Sequence, residues 1–176
     1  MTARTRFDAP LAAWFDRQGW SPAPFQREAW RRYRKGESGL LVTPTGSGKT
    51  LAALGGPLLE ALAERDKAAT RTRRKAATTA RTRLLWITPL RALANDSVRA
   101  LREPIAALGL DWTVAMRTGD ASSRDKRLAR QGRADVLVIT PESLALLLSY
   151  PDTQAQLSGL RAVVVDEWHE LLGNKR

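Results

Sequence analysis

Residues 40–50 of this chain read Leu40-Leu41-Val42-Thr43-Pro44-Thr45-Gly46-Ser47-Gly48-Lys49-Thr50. The apolar residues at the start predict a strand, and the segment after Lys49 predicts a helix. The amides of a glycine-containing turn and of the following helix N-terminus converge on an anion. The lysine can reach the β- and γ-phosphates of a nucleotide, and the next hydroxyl can bind Mg²⁺. The stretch therefore predicts a nucleotide phosphate site, with a chance glycine-serine turn before a lysine as the alternative.

The bulk composition is that of a globular domain. The chain has 176 residues, of which 43% are hydrophobic, and this is enough for one domain with a buried core. No apolar run approaches the roughly 18 residues of a membrane helix, and the N-terminal residues lack the apolar centre of a signal peptide. Cysteine is absent, which excludes disulfides and thiolate metal sites. We therefore expect a cytoplasmic protein without a membrane partner.

The positive charge is concentrated in one segment. Residues 64–83 contain eight cations and two anions, a net +6 of the formal +11. This alanine-, threonine- and arginine-rich segment predicts an exposed, disordered connection, with a basic helical extension as the alternative. Its charge is typical of a surface that binds nucleic acid phosphates, but a solvated segment without a partner would have the same composition.

Apolar runs alternate with helical patterns along the chain, which predicts an α/β fold with a mostly parallel sheet. Strands are predicted at Leu40–Thr43, Leu84–Thr88, Thr113–Met116, Val136–Thr140 and Ala162–Val165. Helices are predicted at Ala9–Gln18, Pro24–Arg34, Lys49–Ala63, Leu90–Leu108, Ser122–Gln131 and Glu142–Ser149. Ligands of such sheets bind beyond the carboxyl ends of the strands, where Gly46–Thr50 and Asp166 are both expected.

A pair of acids follows the last predicted strand. Residues 162–169 read Ala-Val-Val-Val-Asp-Glu-Trp-His. A carboxylate at the strand end, Asp166, can hold the Mg²⁺ that bridges phosphates, and Glu167 can orient or deprotonate an attacking water. His169 is the one histidine of the sequence. We favour a functional role for it, and a polar residue at a helix start is the alternative.

Residues 45–50 and 166–169 together resemble motifs I and II of a DExH-box superfamily 2 helicase. The strict nucleotide-loop pattern has glycine at position 43, where this sequence has Thr43. Other stretches fall in the order of that family. Residues 19–26 resemble the Q-motif, residues 87–93 resemble motif Ia, and residues 117–120 and 140–144 resemble two later strand-binding loops. The sequence of these stretches is most similar to that of Lhr-type helicases, especially bacterial DNA ligase-associated DExH helicases. The resemblance extends from Trp14 to Arg176.

The resemblance implies a role for each matching residue, with ATP and Mg²⁺ as cofactors. Lys49 would hold the β- and γ-phosphates. Thr50 and Asp166 would hold Mg²⁺, and Glu167 would be the general base. His169 would couple the nucleotide to the bound strand, and Gln26 would read the adenine. Thr45, Gly46, Ser47 and Gly48 would line the phosphates. A single strand would lie along Thr88, Pro89, Arg91, Thr118, Gly119, Thr140 and Glu142.

The resemblance also implies a domain organisation. Residues 1–35 would be a helical lead-in, and residues 36–176 would be the first RecA-like P-loop domain, a three-layer fold truncated after motif II, with a basic insertion at 64–83. The second motor domain of the family and one central strand have no counterpart here, so we expect an N-terminal portion that hydrolyses ATP poorly and does not unwind a duplex alone.

The implied partners are single-stranded or partly duplex DNA, with RNA not excluded. A DNA ligase and a nuclease are possible functional partners, and DNA repair is the implied setting. Two alternatives stay open at this point. One is a motor ATPase that tracks on duplexes without separating them, and the other is a non-catalytic nucleic-acid-binding fragment.

Overall fold

The computed structural model describes residues 7–70 and 82–173. They divide into two compact units, Met1–Arg74 with Pro104–Leu110, and Lys75–Glu103 with Asp111–Arg176. No helix in the described ranges is both long and apolar enough to cross a bilayer. The elements in chain order are α1 (Ala9–Arg17), α2 (Pro24–Arg34), α3 (Lys49–Thr70), β1 (Leu84–Ile87), α4 (Arg91–Ala107), β2 (Val114–Arg117), α5 (Ser123–Arg130), β3 (Val136–Ile139), α6 (Pro141–Leu148), α7 (Thr153–Gln156), β4 (Ala162–Val165) and α8 (Trp168–Gly173).

The sheet lies in the second unit and has the strand order β2-β3-β1-β4, with all neighbours parallel. Leu84 of β1 is in register with Val136 of β3 on one side and with Ala162 of β4 on the other. All four positions of β1 and of β3 are buried. Continuous apolar runs suit strands that are covered on both faces, and the predicted parallel α/β fold is confirmed.

The predicted strand at Leu40–Thr43 is wrong. These residues adopt no strand, and the side chains of Leu40 and Val42 are 67% and 77% exposed. An isolated extended segment leaves its amides and carbonyls unpaired, so a strand needs a partner backbone. None of the four strands in the described sheet pairs with this segment. Gly46–Thr50 therefore does not follow a strand, whereas Asp166 directly follows β4 as predicted.

The first unit is built on aromatic packing between helices. Trp14 and Phe15 of α1 make an edge contact at 5.2 Å between ring centroids, and Phe15 contacts Trp30 of α2 at 6.0 Å. Trp30 is fully buried, and its Nε1 donates a hydrogen bond to the carbonyl of Leu51 in α3 at 3.0 Å. This bond and the absence of a side chain at Gly55 let the indole lie against the α3 backbone.

The structure corrects part of the interpretation of the basic segment. Helix α3 continues to Thr70, so residues 64–70 form the helical extension and not the disordered connection. The rest of that segment up to residue 81 lies outside the described residues. Two short helices, α7 and α8, were not predicted, because four and six residues are too few for a helical periodicity to show. Trp30 and Trp86 are both buried in the core.

Candidate nucleotide and nucleic-acid site

The predicted phosphate loop leads directly into α3. Gly46 and Gly48 have φ angles of 78° and 92°, a left-handed conformation that L side chains rarely adopt. Helix α3 begins at Lys49. Within the described ranges, the amides of Gly48, Lys49 and Thr50 donate to no protein acceptor. Unpaired amides at a helix start favour an anion, so the loop has the chemistry that a phosphate requires.

The side chains of the loop bond to one another. Lys49 Nζ donates to the carbonyl of Thr43 at 3.1 Å and to that of Pro44 at 3.4 Å, which holds the ammonium over the loop. The hydroxyls of Thr43 and Ser47 are 2.7 Å apart. Thr43, which departs from the strict loop pattern, is therefore one of the groups that hold the loop together.

Gln26 supports the loop from the Q-motif-like segment. It is 3% exposed, and its Nε2 donates to the carbonyl of Gly48 at 3.0 Å, while its Oε1 accepts from the amide of Ala23 at 2.8 Å. A Cβ on Gly48 would lie 2.6 Å from that Nε2. The close approach of Gln26 thus requires glycine at position 48. Adenine recognition by Gln26 stays a prediction.

The acidic pair lies at the end of β4 in the second unit. The amide of Asp166 donates to the carbonyl of Ile87 at 2.8 Å, and its Oδ2 accepts from Trp86 Nε1 at 3.3 Å. Its Oδ1 accepts from the amide of Glu167 at 3.1 Å. Glu167 has a φ of 45°, the one positive value outside glycine in the described residues. Backbone strain of this kind is common at functional sites.

His169 lies one turn further on, in α8. Its Nδ1 is 3.6 Å from Glu167 Oε2, and its Nε2 is 3.4 Å from Glu170 Oε1. The imidazole is therefore bracketed by two carboxylates, one of which belongs to the predicted general base. This arrangement lets the orientation of His169 depend on that of Glu167, and the coupling role of His169 stays a prediction.

The structure brings four predicted site residues to one edge of the sheet. Thr118, Thr140, Thr88 and Asp166 each come directly after a strand, in the spatial order β2, β3, β1 and β4. Since neighbouring strands are about 4.8 Å apart, these positions form a row along the carboxyl edge. The three threonines are at most 2% exposed. A shared edge is where ligands of parallel sheets bind.

The three threonine hydroxyls have different surroundings. Thr118 Oγ1 donates to Asp120 Oδ1 at 2.7 Å, and Thr140 Oγ1 donates to Ser143 Oγ at 3.1 Å. Thr140 is the N-cap residue of α6 with proline at the next position, although its hydroxyl does not bond the helix backbone. Capping by backbone geometry and a binding role are thus compatible there. Thr88 Oγ1 is buried and has no partner among the described residues.

The loop after β2 contains a carboxylate, Asp120, that is stabilised in its charged form. The hydrogen bond from Thr118 lowers the pKa of Asp120 below its usual value, with smaller contributions from its own amide and the charges of Arg91 and Lys126. The guanidinium of Arg91 lies against Gly119, since a Cβ there would be 3.1 Å from Arg91 Cζ. The other predicted strand-binding residues are half-buried or exposed: Pro89 and Glu142. All of these side chains belong to the second unit.

Sequence reasoning missed two supporting residues. Trp86 was not singled out as a site residue, yet it donates to Asp166 from the core. Its position two residues before Thr88 and the polar indole N–H were the available signals. Lys126 was not singled out, and its Nζ donates to the carbonyl of Gly119 at 2.8 Å. Only the dense charge of residues 123–130 could have indicated it.

The residues proposed for Mg²⁺ have suitable chemistry. A hydroxyl oxygen of Thr50 and a carboxylate of Asp166 are hard oxygen donors, the type that Mg²⁺ prefers. No cluster of three or more histidine, cysteine or acidic side chains suited to a metal occurs in the described part of the chain. The donor set fits an ion that is held mostly by phosphates and water, with few protein ligands.

Comparison with known proteins identifies the family. The sequence profile described as DEAD/DEAH box helicase matches residues 23–176. This chain belongs to the DEAD/DEAH box helicase family.

Within that family the chain is similar to Lhr helicases. It is 36% identical over 181 residues to "Lhr helicase/probable uracil glycosylase" of Mycolicibacterium smegmatis, covering 97% of this chain and 11% of that protein. It is 36% identical over 179 residues to "ATP-dependent helicase Lhr-Core" of Methanocaldococcus jannaschii, covering 96% of this chain and 20% of the relative. The predicted Lhr-type resemblance is confirmed. The chain spans only 11% and 20% of the length of these two relatives.

Solved structures agree. The structure of Mycobacterium smegmatis helicase Lhr bound to ssDNA and AMP-PNP superposes with a TM-score of 0.69 at 34% identity, covering 93% of this chain and 20% of that one. Helicase MrfA bound to DNA and AMPPNP superposes with a TM-score of 0.72 at 27% identity, covering 91% of this chain and 20% of that one. The RecA-like helicase fold is thereby shown.

Proposed function

We propose that this chain is the ATP-binding portion of a cytoplasmic helicase or translocase that couples Mg-ATP hydrolysis to movement on single-stranded nucleic acid. The observation that carries the proposal is the loop of residues 45–48, whose two left-handed glycines lead into α3 and whose Gly48 is held by Gln26. The conformation exposes helix-start amides and keeps Lys49 beside them, as a triphosphate requires.

Each protein residue of the nucleotide site then has a specific role. Lys49 would exchange its loop carbonyls for the β- and γ-phosphates, and the amides of Gly48, Lys49 and Thr50, which have no protein acceptor in the described ranges, would donate to the phosphate oxygens. Thr50 and Asp166 would hold Mg²⁺, which would supply positive charge to the phosphates. Glu167, which directly follows Asp166, would accept a proton from the attacking water. Trp86 fixes the carboxylate of Asp166 in one orientation.

The strand residues bind backbone and do not read sequence. The row of Thr118, Thr140 and Thr88 lies along the sheet edge, where the hydroxyl of Thr88 has no partner among the described residues, and Arg91 adds a positive charge beside Gly119. Contacts of this type position a phosphate backbone. DNA is the favoured strand, because the Lhr and MrfA structures were solved with it. DNA repair, with a DNA ligase and a nuclease as functional partners, is the proposed setting.

A thermal melt of the 176-residue chain tests the nucleotide site directly. Mg-ATP should raise the Tm of the wild type and leave the Tm of Lys49→Ala unchanged, because a ligand that binds only the folded state stabilises it. The matched control is Lys35→Ala, an exposed lysine with no assigned role. An equal rise in Lys49→Ala would contradict the proposed phosphate site.

Two alternatives have distinct outcomes. A non-catalytic nucleic-acid-binding fragment would bind a labelled oligonucleotide with the same affinity in the wild type and in Lys49→Ala at every nucleotide concentration. A motor that tracks on duplexes would, as a full-length protein, hydrolyse ATP on duplex DNA without displacing a strand. Nucleotide-dependent affinity in the wild type and strand displacement by the longer protein would together support the helicase.

A further inference from the structure

An open groove of ≈ 700 Å³ lies between α5 and α7, and none of the residues that line it is assigned above to the nucleotide or the strand. Among the described residues that line it, three are cationic and one is acidic: Lys126, Arg127, Arg130 and Asp152. All three cations are exposed. In the described ranges, no ion pair joins any of these three cations to an acid. The groove therefore carries a net positive charge, with three cations against one carboxylate.

Arg130 of the groove is held against an aromatic ring. The guanidinium of Arg130 lies over the ring of Tyr150, 5.0 Å from its centroid, and Arg117 approaches the same ring at 5.7 Å. An arginine already held on an aromatic face loses less conformational freedom when it binds. The one carboxylate of the groove belongs to Asp152, and its Oδ2 accepts a hydrogen bond from Gln156 Nε2 at 2.6 Å.

The groove is connected to a predicted strand-binding loop. Lys126 lines the groove and donates to the carbonyl of Gly119 at 2.8 Å. Along α5, Lys126 and Arg130 are four positions apart, so both lie on one face of the helix. The charges of the groove thus match a nucleic acid backbone in sign, and Lys126 joins them to the loop of Gly119.

We propose that this groove is a second nucleic-acid contact, which binds the phosphate backbone of the segment that leaves the loop of Thr118, Gly119 and Asp120. The inference rests on the proposed function, because the strand must first reach that loop. Its contacts are guanidinium and ammonium groups on phosphates, so binding there is independent of sequence and depends strongly on salt.

Binding of a fluorescein-labelled oligothymidine to the 176-residue chain, followed by anisotropy over a KCl series, tests the groove. The variant Arg127→Glu/Arg130→Glu should bind more weakly at low salt. Its plot of log affinity against log salt should be shallower by about 1.4, the value for two lost single-strand phosphate contacts. The matched control is Arg17→Glu/Arg99→Glu, which makes the same change in net charge at exposed helix positions. Equal slopes in the two variants would overturn the groove.

Further measurements separate the possible failures. A thermal melt of each variant checks folding, and Arg127→Gln/Arg130→Gln, which adds no negative charge, must also give a shallower slope. If the wild type binds no oligothymidine, the groove and the strand-binding part of the proposed function both fail, while the Mg-ATP melt still tests the nucleotide site. If the wild type binds oligothymidine and the groove variants give the same salt slope as the control variant, the groove proposal fails while the strand-binding part of the proposed function stands.

Discussion

Trp86 donates a hydrogen bond from its indole Nε1 to Asp166 Oδ2 across two paired strands, at 3.3 Å. Trp86 lies in β1, and Asp166 directly follows β4, which pairs with β1 in parallel. A residue that fills the core thereby also orients the carboxylate proposed for Mg²⁺. This relationship connects the interior of the sheet to the carboxylate proposed for Mg²⁺.

Trp86→Phe should separate these two roles. The change keeps an aromatic ring in the core and removes the donor, which should cost about 1 kcal/mol for the hydrogen bond and a further loss for the smaller ring. The Mg²⁺ concentration needed for ATP to stabilise the chain should rise. Denaturation and a Mg²⁺ titration of the Tm measure the two effects. Trp14→Phe is the control, because Trp14 Nε1 is buried without a partner among the described residues. An unchanged Mg²⁺ requirement in Trp86→Phe would contradict the orienting role.

Gly48→Ala should damage the phosphate loop. The new Cβ would lie 2.6 Å from Gln26 Nε2, at a φ of 92° that alanine rarely adopts. Backbone strain of this type costs about 1–3 kcal/mol, and the displaced loop should lose its stabilisation by Mg-ATP. Gly39→Ala is the matched control, because nothing lies within 4 Å of its added Cβ and its φ is not positive. Equal Mg-ATP shifts in the two variants would show that the loop tolerates the change.

Gly55→Ala tests the packing of the first unit. Helix propensity alone favours alanine by about 1 kcal/mol. The added Cβ, however, would lie 2.2 Å from Trp30 Nε1 and 2.6 Å from Trp30 Cε2, atoms of a fully buried ring that cannot move aside freely. We expect net destabilisation by about 1–3 kcal/mol, as for overpacked cores, measured by urea denaturation. A more stable variant would mean that α2 and α3 separate easily.

Thr118→Val should raise the pKa of Asp120. The hydrogen bond from Thr118 is the largest cause of its lowered pKa, and the isosteric valine removes it. A carboxylate whose pKa is lowered by folding contributes stability above its unfolded pKa, and this contribution disappears as the pH falls through the folded value. The wild type should therefore lose this increment on acidification, and the variant should lack it. Carbon NMR of the carboxyl groups measures the pKa.

Glu28 supplies an internal control in the same titration. Its pKa is also lowered, mainly by the hydrogen bond from Arg32 in α2. That pair lies in the other unit, so the pKa of Glu28 should be the same in both proteins. A shift of Glu28 together with Asp120 would indicate a general change in the fold.

The sequence predicted the sheet well where burial is two-sided. Continuous apolar runs identified β1 and β3, and both are buried at every position. The same reasoning failed for Leu40–Thr43, because an apolar pattern specifies a strand only when a neighbouring backbone is there to pair with it. Local chemistry was informative at the loop itself, where the glycines at 46 and 48 indeed take positive φ angles.

Details of the candidate site depended on tertiary contacts that no local pattern contains. Nothing in residues 162–169 indicates that Glu167 adopts a φ of 45°, since left-handed geometry is expected of glycine or asparagine. The bond between Gln26 and Gly48 joins residues 22 positions apart. Identities of candidate residues could therefore be predicted from motifs, whereas their mutual support could not.

The row of Thr118, Thr140, Thr88 and Asp166 has a consequence for how the molecule loses activity. All four residues are anchored to the same hydrogen-bonded strands, so a local opening of β1 and β3 releases them in one event. Substitutions deep in the sheet, such as Leu137→Ala, would then displace the proposed strand-binding threonines and the carboxylate proposed for Mg²⁺ together, without changing any of these residues. The slowest-exchanging amides of β1 and β3 would report the lifetime of the whole edge.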